Sequence, residues 1–149
     1  MKKHTVLDKA KEYASRYLDE LPGRRVFPGE QALQDLGKLS MPLPESPRDP
    51  EEVLAILNTL GSPGTVATSG ARYFGFVFGG TLPAAMAANW LATAWDQNAI
   101  FRLSSPVSIQ IEKVAASWLL NLFRLPEKSA VGFVTGTTVA NFCGLLAAR

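Results

Sequence analysis

Apolar residues recur at helical spacing along most of the chain. Between residues 5 and 21, Val6, Ala10, Tyr13, Ala14, Tyr17, Leu18 and Leu21 form one stripe, which predicts an amphipathic helix. Thr5 with Asp8 resembles a capping box at its start, and Pro22-Gly23 ends it. A loop containing Arg24 and Arg25 leads to a short helix over residues 30–39. Residues 41–50 carry four prolines and read as an extended linker. Asp49-Pro50-Glu51-Glu52 then combines a cap residue, a proline in the first turn and acids at the positive end of the dipole. Val53, Leu54, Ile56, Leu57 and Leu60 carry this helix to a stop at Gly61. Two more helices are predicted, from Pro83 to about Asn98 and from Ser105-Pro106 to about Phe123. Val107, Ile111, Val114, Ala115, Trp118, Leu119 and Leu122 mark the buried face of the second, and Leu125-Pro126 ends it.

The period changes near the carboxyl end. Val131, Phe133 and Val134 are β-formers in a short apolar run, which predicts a buried strand. Thr135-Gly136-Thr137-Thr138 follows without a charge. From Val139 the spacing is helical again, with Phe142, Leu145 and Leu146 on one face. A polar turn that opens a helix presents unpaired backbone N–H groups and the positive dipole end, an arrangement suited to a phosphate. An ordinary capped turn accounts for the same residues. The turn lacks the lysine of a P-loop and the spacing of the dinucleotide fingerprint. No Gly, Asn or Pro closes the last helix, so the sequence is expected to continue.

Apolar residues make up 47% and charged residues 19% of the 149, which fits a folded domain and not a disordered one. A net charge of +2 gives no nucleic-acid footprint. Arg24-Arg25 reads as a solvated loop or an ion pair with a neighbouring chain. One Cys and one His exclude a disulfide framework and a Cys/His metal cluster within the chain. His4 reads as solvated, and Cys143 as a buried, reduced thiol. Two uncharged stretches, residues 73–95 and 129–148, have membrane-spanning length. Their glycines, Pro83 and changes of period fit buried segments of an α/β core better. The aromatic, glycine-rich run at residues 73–80 reads as packing or as an apolar wall over a flat ligand. Trp95-Asp96-Gln97-Asn98 reads as an interhelical loop with caps. Glu112 reads as an exposed acid or the partner of an Arg.

Taken in order, these pieces resemble a known family. They are a helical arm, Tyr73-Phe74-Gly75-Phe76, Gly79-Gly80, Pro83-Ala84, Trp95 to Asn98, Ser105-Pro106, Glu112, Trp118-Leu119, Leu125-Pro126, Gly132 to Asn141, and Leu145 to Arg149. The order is similar to the amino-terminal third of the pyridoxal-phosphate-dependent decarboxylases of the aromatic amino acid and glutamate group. The resemblance covers nearly the whole chain and is strongest from Tyr73 onward. It implies an α/β, aspartate-aminotransferase-like architecture (fold type I), mostly helical within this stretch. Residues 1–61 would form the helical dimerisation arm, 62–82 a loop and aromatic segment, and 83–149 the start of the cofactor-binding large domain.

By position, the resemblance gives Gly136, Thr137 and Thr138 to the phosphate of pyridoxal 5'-phosphate. It sets Phe76, Val77 and Phe78 beside the substrate, an L-amino acid, in a cytoplasmic homodimer with no nucleic-acid or membrane partner. The family's Schiff-base lysine and the acid that pairs with the pyridine nitrogen lie beyond Arg149. The seven lysines present sit in charged faces or loops, so no catalytic residue is assigned and the chain alone is expected to be inactive. It is also expected to self-associate, through an unpaired strand edge and apolar helix faces. A lyase or aminotransferase of the same fold, or a non-catalytic helical interaction module, are the alternatives.

Overall fold

The computed structural model describes residues 3–149, with side chains from Thr5 onward. Lys2 and the side chains of Lys3 and His4 lie outside the described residues. Six α-helices are found among the described residues: α1 (Lys3–Glu20), α2 (Glu30–Leu36), α3 (Pro50–Ile56), α4 (Pro83–Trp95), α5 (Pro106–Leu122) and α6 (Thr137–Ala147). The chain divides into two compact units, Met1–Met86 and Ala87–Arg149, the second beginning inside α4.

In the first unit, the α1 stripe meets α3. Ala10, Tyr13, Ala14 and Tyr17 line one groove with Leu54, Leu57 and Gly61. Lys9 and Glu51 pair at 2.5 Å and tie α1 to α3. The α3 start follows its sequence signal: the Glu51 N–H donates to Asp49 Oδ1 at 2.7 Å, and Pro50 occupies the first turn. Its end does not. The backbone passes through a π turn (Leu57–Gly61) and a 3-10 turn (Ser62–Gly64) before extending at Thr65. Gly61 keeps right-handed angles, so it does not stop the winding. Gly64 is the glycine that close packing requires: a Cβ there would lie 2.7–2.9 Å from the Leu36 side chain.

Thr5 lies inside the first turn of the described part of α1. The Arg24 guanidinium pairs with Glu20 at 3.3 Å, donates to the Ser62 carbonyl at 2.5 Å and sits 4.5 Å from the Tyr17 ring centre. Arg24 is therefore an anchor within the unit, not a solvated loop residue. It holds the end of α1 against the 62–65 turn.

In the second unit, the Ser105 hydroxyl caps α5. It accepts from the Ser108 N–H at 3.4 Å and donates to Ser108 Oγ at 2.7 Å, and it is fully buried. The α5 end is a Schellman motif: Leu125 N–H reaches the Leu120 carbonyl at 2.9 Å and Arg124 N–H that of Asn121 at 3.0 Å. The left-handed position is filled by Arg124, at φ 54°, where glycine is usual. Helix α4 ends at Trp95, three residues before the predicted limit, because Asp96 turns left-handed at φ 48°. Beyond it, Asn98 Oδ1 accepts from the Ile100 N–H and the Ser104 hydroxyl donates to the Asn98 carbonyl.

The predicted strand at Val131, Phe133 and Val134 does not form, and no strand occurs among the described residues. A strand is completed by a neighbour's N–H and C=O groups, and these residues meet none. Cys143 is exposed, not buried, because nothing among the described residues covers α6. Neither α4 nor α6 has a charged residue, yet Trp90, Leu91, Phe142 and Leu145 stand in solvent. Helices apolar all round are built for burial. The accessible surface is 12556 Å². Two separate compact domains sharing this mass would expose about 8,900 Å².

Candidate functional site

The two candidate segments belong to different units, Phe76–Val77–Phe78 to the first and Gly136–Thr137–Thr138 to the second.

The second begins with a helix start that lacks a protein cap. Gly136 takes the N-cap position of α6 and makes no side-chain cap hydrogen bond. Ala140 supplies the first helical bond, its N–H donating to the Gly136 carbonyl at 3.0 Å. The amides of Thr137, Thr138 and Val139 thus have no helical acceptor. Both threonines are exposed. The start of α6 thus offers three amides without a helical acceptor, two threonine hydroxyls in its first turn and the positive end of an 11-residue helix. That donor set matches a phosphate dianion, which accepts hydrogen bonds and carries negative charge, so the residues present fit the phosphate of a pyridoxal cofactor.

Gly136 has φ 164° and ψ 171°, extended angles that any residue adopts, and a Cβ there would meet nothing within 4 Å. A glycine at this position is not demanded by the backbone.

The aromatic segment is exposed as well. Phe74, Phe76 and Val77 are 87–102% exposed, so it is neither core nor sheet edge. The rings of Tyr73 and Phe78 stack with centres 5.9 Å apart, and those of Phe76 and Phe78 lie 6.2 Å apart. Phe76 and Val77 have left-handed backbones at φ 54° and 57°.

Open grooves lie in the second unit, and two of them are the larger. One, of about 480 Å³, is mainly apolar and lined by Leu91, Trp95, Ile111 and Phe133. The other, of about 840 Å³, carries Lys113, Arg124 and Glu127. Glu112 lines both and is exposed. Neither groove includes Gly136, Thr137 or Thr138.

Ionisation is perturbed at two residues of the helical arm. The hydrogen bond with Glu51 raises Lys9, and the hydrogen bond from Lys38 lowers Asp35. Lys11, Lys38, Lys113 and Lys128 are exposed and Lys9 is half-buried. Among the described residues no group of three His, Cys, Asp or Glu side chains could hold a metal ion, and no helix is long and apolar enough to cross a membrane.

Sequence reasoning passed over Arg72, whose Nη2 donates to the Pro22 carbonyl at 3.1 Å and also to that of Arg24. A signal existed, since Arg72 is the sole charge between Glu52 and Asp96. Here the backbone carbonyls of a turn some fifty residues away receive it.

The family model described as the pyridoxal-dependent decarboxylase conserved domain matches residues 37–149. Tyrosine decarboxylase 1 of Narcissus pseudonarcissus is 31% identical over 123 residues, covering 76% of this chain and 24% of that protein. Aromatic-L-amino-acid decarboxylase of Bos taurus is 29% identical over 150 residues, covering 93% of this chain and 30% of that protein. The chain therefore spans 24% and 30% of the length of these two relatives. No solved structure matches it. With most of its length under one family model, and with a helix start whose donors suit the phosphate that family requires, this chain belongs to the pyridoxal-dependent decarboxylase family.

Proposed function

We propose that the chain is the amino-terminal part of a pyridoxal-phosphate-dependent L-amino-acid decarboxylase. Gly136, Thr137 and Thr138 hold the cofactor phosphate, and Phe76, Val77 and Phe78 border the substrate. The observation that carries this reading is the uncapped start of α6, whose first turn holds three amides without a helical acceptor and two exposed threonines. The whole is an α/β, aspartate-aminotransferase-like fold. In it residues 1–61 are the arm of a cytoplasmic homodimer, 62–82 the substrate-side loop, and 83–149 the opening of the large domain. Support comes from α4 and α6, whose uncharged surfaces need a covering that the described residues do not provide.

Pyridoxal phosphate, when bound, supplies the electron sink for loss of a carboxylate as carbon dioxide. The residues of this chain contribute binding and orientation. Thr137 and Thr138 donate their hydroxyls to the phosphate, and the first amides of α6 add charge-directed donors. Fixing that end limits how the reacting bond of the amino acid can turn, which is where orientation lowers the barrier. Gly136 leaves the approach open. Phe76 and Phe78 offer apolar rings to the substrate side chain. Both relatives are named for aromatic amino acids, which supports that substrate class. The lysine that bonds the cofactor is supplied by the remainder of the polypeptide.

A decarboxylase polypeptide carrying this chain should release carbon dioxide from an aromatic L-amino acid when loaded with the cofactor. Amino transfer to a keto acid without carbon dioxide release would overturn the reading in favour of an aminotransferase.

A further inference from the structure

The 73–78 segment stands on a root that is built with care and ends abruptly. Ala67 is buried, and its N–H donates to the Val26 carbonyl at 3.0 Å. Gly70 N–H then reaches the Ala67 carbonyl at 3.0 Å, and Tyr73 N–H the Gly70 carbonyl at 3.1 Å. Arg72 closes the root. One nitrogen, Nη2, spends its two hydrogens on the carbonyls of Pro22 and Arg24, fifty and forty-eight residues away. Those carbonyls belong to the turn after α1, which Arg24 itself fixes to Glu20 and the Ser62 carbonyl.

Past Tyr73 this support stops. Within residues 74–78 the backbone makes one long hydrogen bond, Phe78 N–H to the Gly75 carbonyl at 3.5 Å, besides the ring contacts. Phe76 and Val77 nonetheless hold left-handed angles, which are strained for a bulky and for a β-branched residue. Such strain persists only where the surroundings impose it. No side chain in this unit encloses Val77; what ties the segment down is the pair of ring contacts, Tyr73–Phe78 and Phe76–Phe78, and below them the root.

We propose that Arg72 is a positioning residue for the amino-acid substrate: by pinning the root of the 73–78 segment to the end of α1, it sets where Phe76 and Phe78 meet the substrate side chain. This rests on the reading that Phe76, Val77 and Phe78 border the substrate. Arg72 touches neither substrate nor cofactor; it acts through the loop.

The test uses Arg72→Met, which keeps the stem and removes the donors, and Arg72→Lys, which restores donors on a flexible stem. In a decarboxylase polypeptide carrying this chain and loaded with cofactor, Arg72→Met should raise KM for the amino acid at least fivefold and leave cofactor affinity within twofold. In the 149-residue chain the same change should speed chymotryptic cleavage after Phe76 at least fivefold. Arg72→Lys should recover part of both, and it decides the matter if the Met variant fails to fold. Phe76→Ala separates the two layers of the reasoning. If Phe76→Ala raises KM while neither Arg72 variant moves KM or cleavage beyond twofold, the role of Arg72 is overturned. If Phe76→Ala also leaves KM unchanged, the substrate reading of the loop falls, and the proposal with it.

Discussion

Replacing Leu145 with Lys separates a helix built for burial from one built for solvent. Helix α6 has no charged residue, and Leu145 is 74% exposed within the chain. At such a site lysine, a good helix former, should change stability by no more than about 0.5 kcal/mol. The same site in a complete decarboxylase is expected to be covered. Fully burying a leucine is worth about 1.5–3 kcal/mol, so covering the remaining three quarters is worth about 1–2 kcal/mol. Lysine forfeits that and also places an ammonium against apolar surface, which brings the expected loss to more than about 3 kcal/mol. Two assays read the contrast. Sedimentation of the 149-residue chain should show less self-association for Leu145→Lys than for the parent. Denaturant unfolding of a decarboxylase carrying the change should show the loss. Equal self-association of the two chains, or a complete enzyme that loses less than about 0.5 kcal/mol, would refute the reasoning that α6 is a core helix.

Other expectations follow from local geometry. Arg124→Gly should stabilise α5 by about 1 kcal/mol, because Arg124 sits left-handed where glycine carries no Cβ penalty; an unchanged or lower thermal midpoint for the helical signal would contradict this. Asp35 titrates below its ordinary 3.8 because Lys38 donates to it at 2.6 Å and Gln31 also reaches it. Its contribution to α2 is therefore present above pH 3.8 and lost as pH falls through the lower folded value. Lys38→Met should move the Asp35 titration, followed by NMR, back toward 3.8; an unmoved midpoint would show that Lys38 is not the cause.

How much could be read from the sequence depended on the range of the interaction. Asp49 and Ser105 announce their helices because a cap and a following proline act within one turn. The Gly136–Thr138 opening was legible for the same reason: its donors come from consecutive residues and the first turn of a helix. Arg124 was not legible as a helix end, since the glycine that signals a Schellman motif is absent and the motif forms regardless. Gly61 misled in the opposite sense, because Ser62 and Pro63 continue the winding in a tighter turn. The strand at residues 131–134 has the right residue types but depends on neighbours that do not occur among the described residues. Burial of Cys143 was inferred from an apolar helix, yet burial belongs to whatever covers that helix. Arg24 was misread and Arg72 passed over because their carbonyl partners lie 38 to 50 residues away, a distance that no local pattern encodes.

The central claim is that Gly136, Thr137 and Thr138 hold the cofactor phosphate, and cofactor titration of a Thr137→Ala/Thr138→Ala double variant tests it most directly. The measurement is made by absorbance on a decarboxylase polypeptide carrying this chain. Hydrogen bonds to a charged group are worth roughly 1.5–3 kcal/mol each, while the backbone amides and the helix dipole survive the change. Both hydroxyls are exposed at a helix start, so the fold should tolerate their loss. The account predicts that cofactor affinity falls at least tenfold in a protein with unchanged helical content. Affinity that stays within twofold of the parent, in a folded double variant, would contradict it and reduce the turn to an ordinary beginning of a helix.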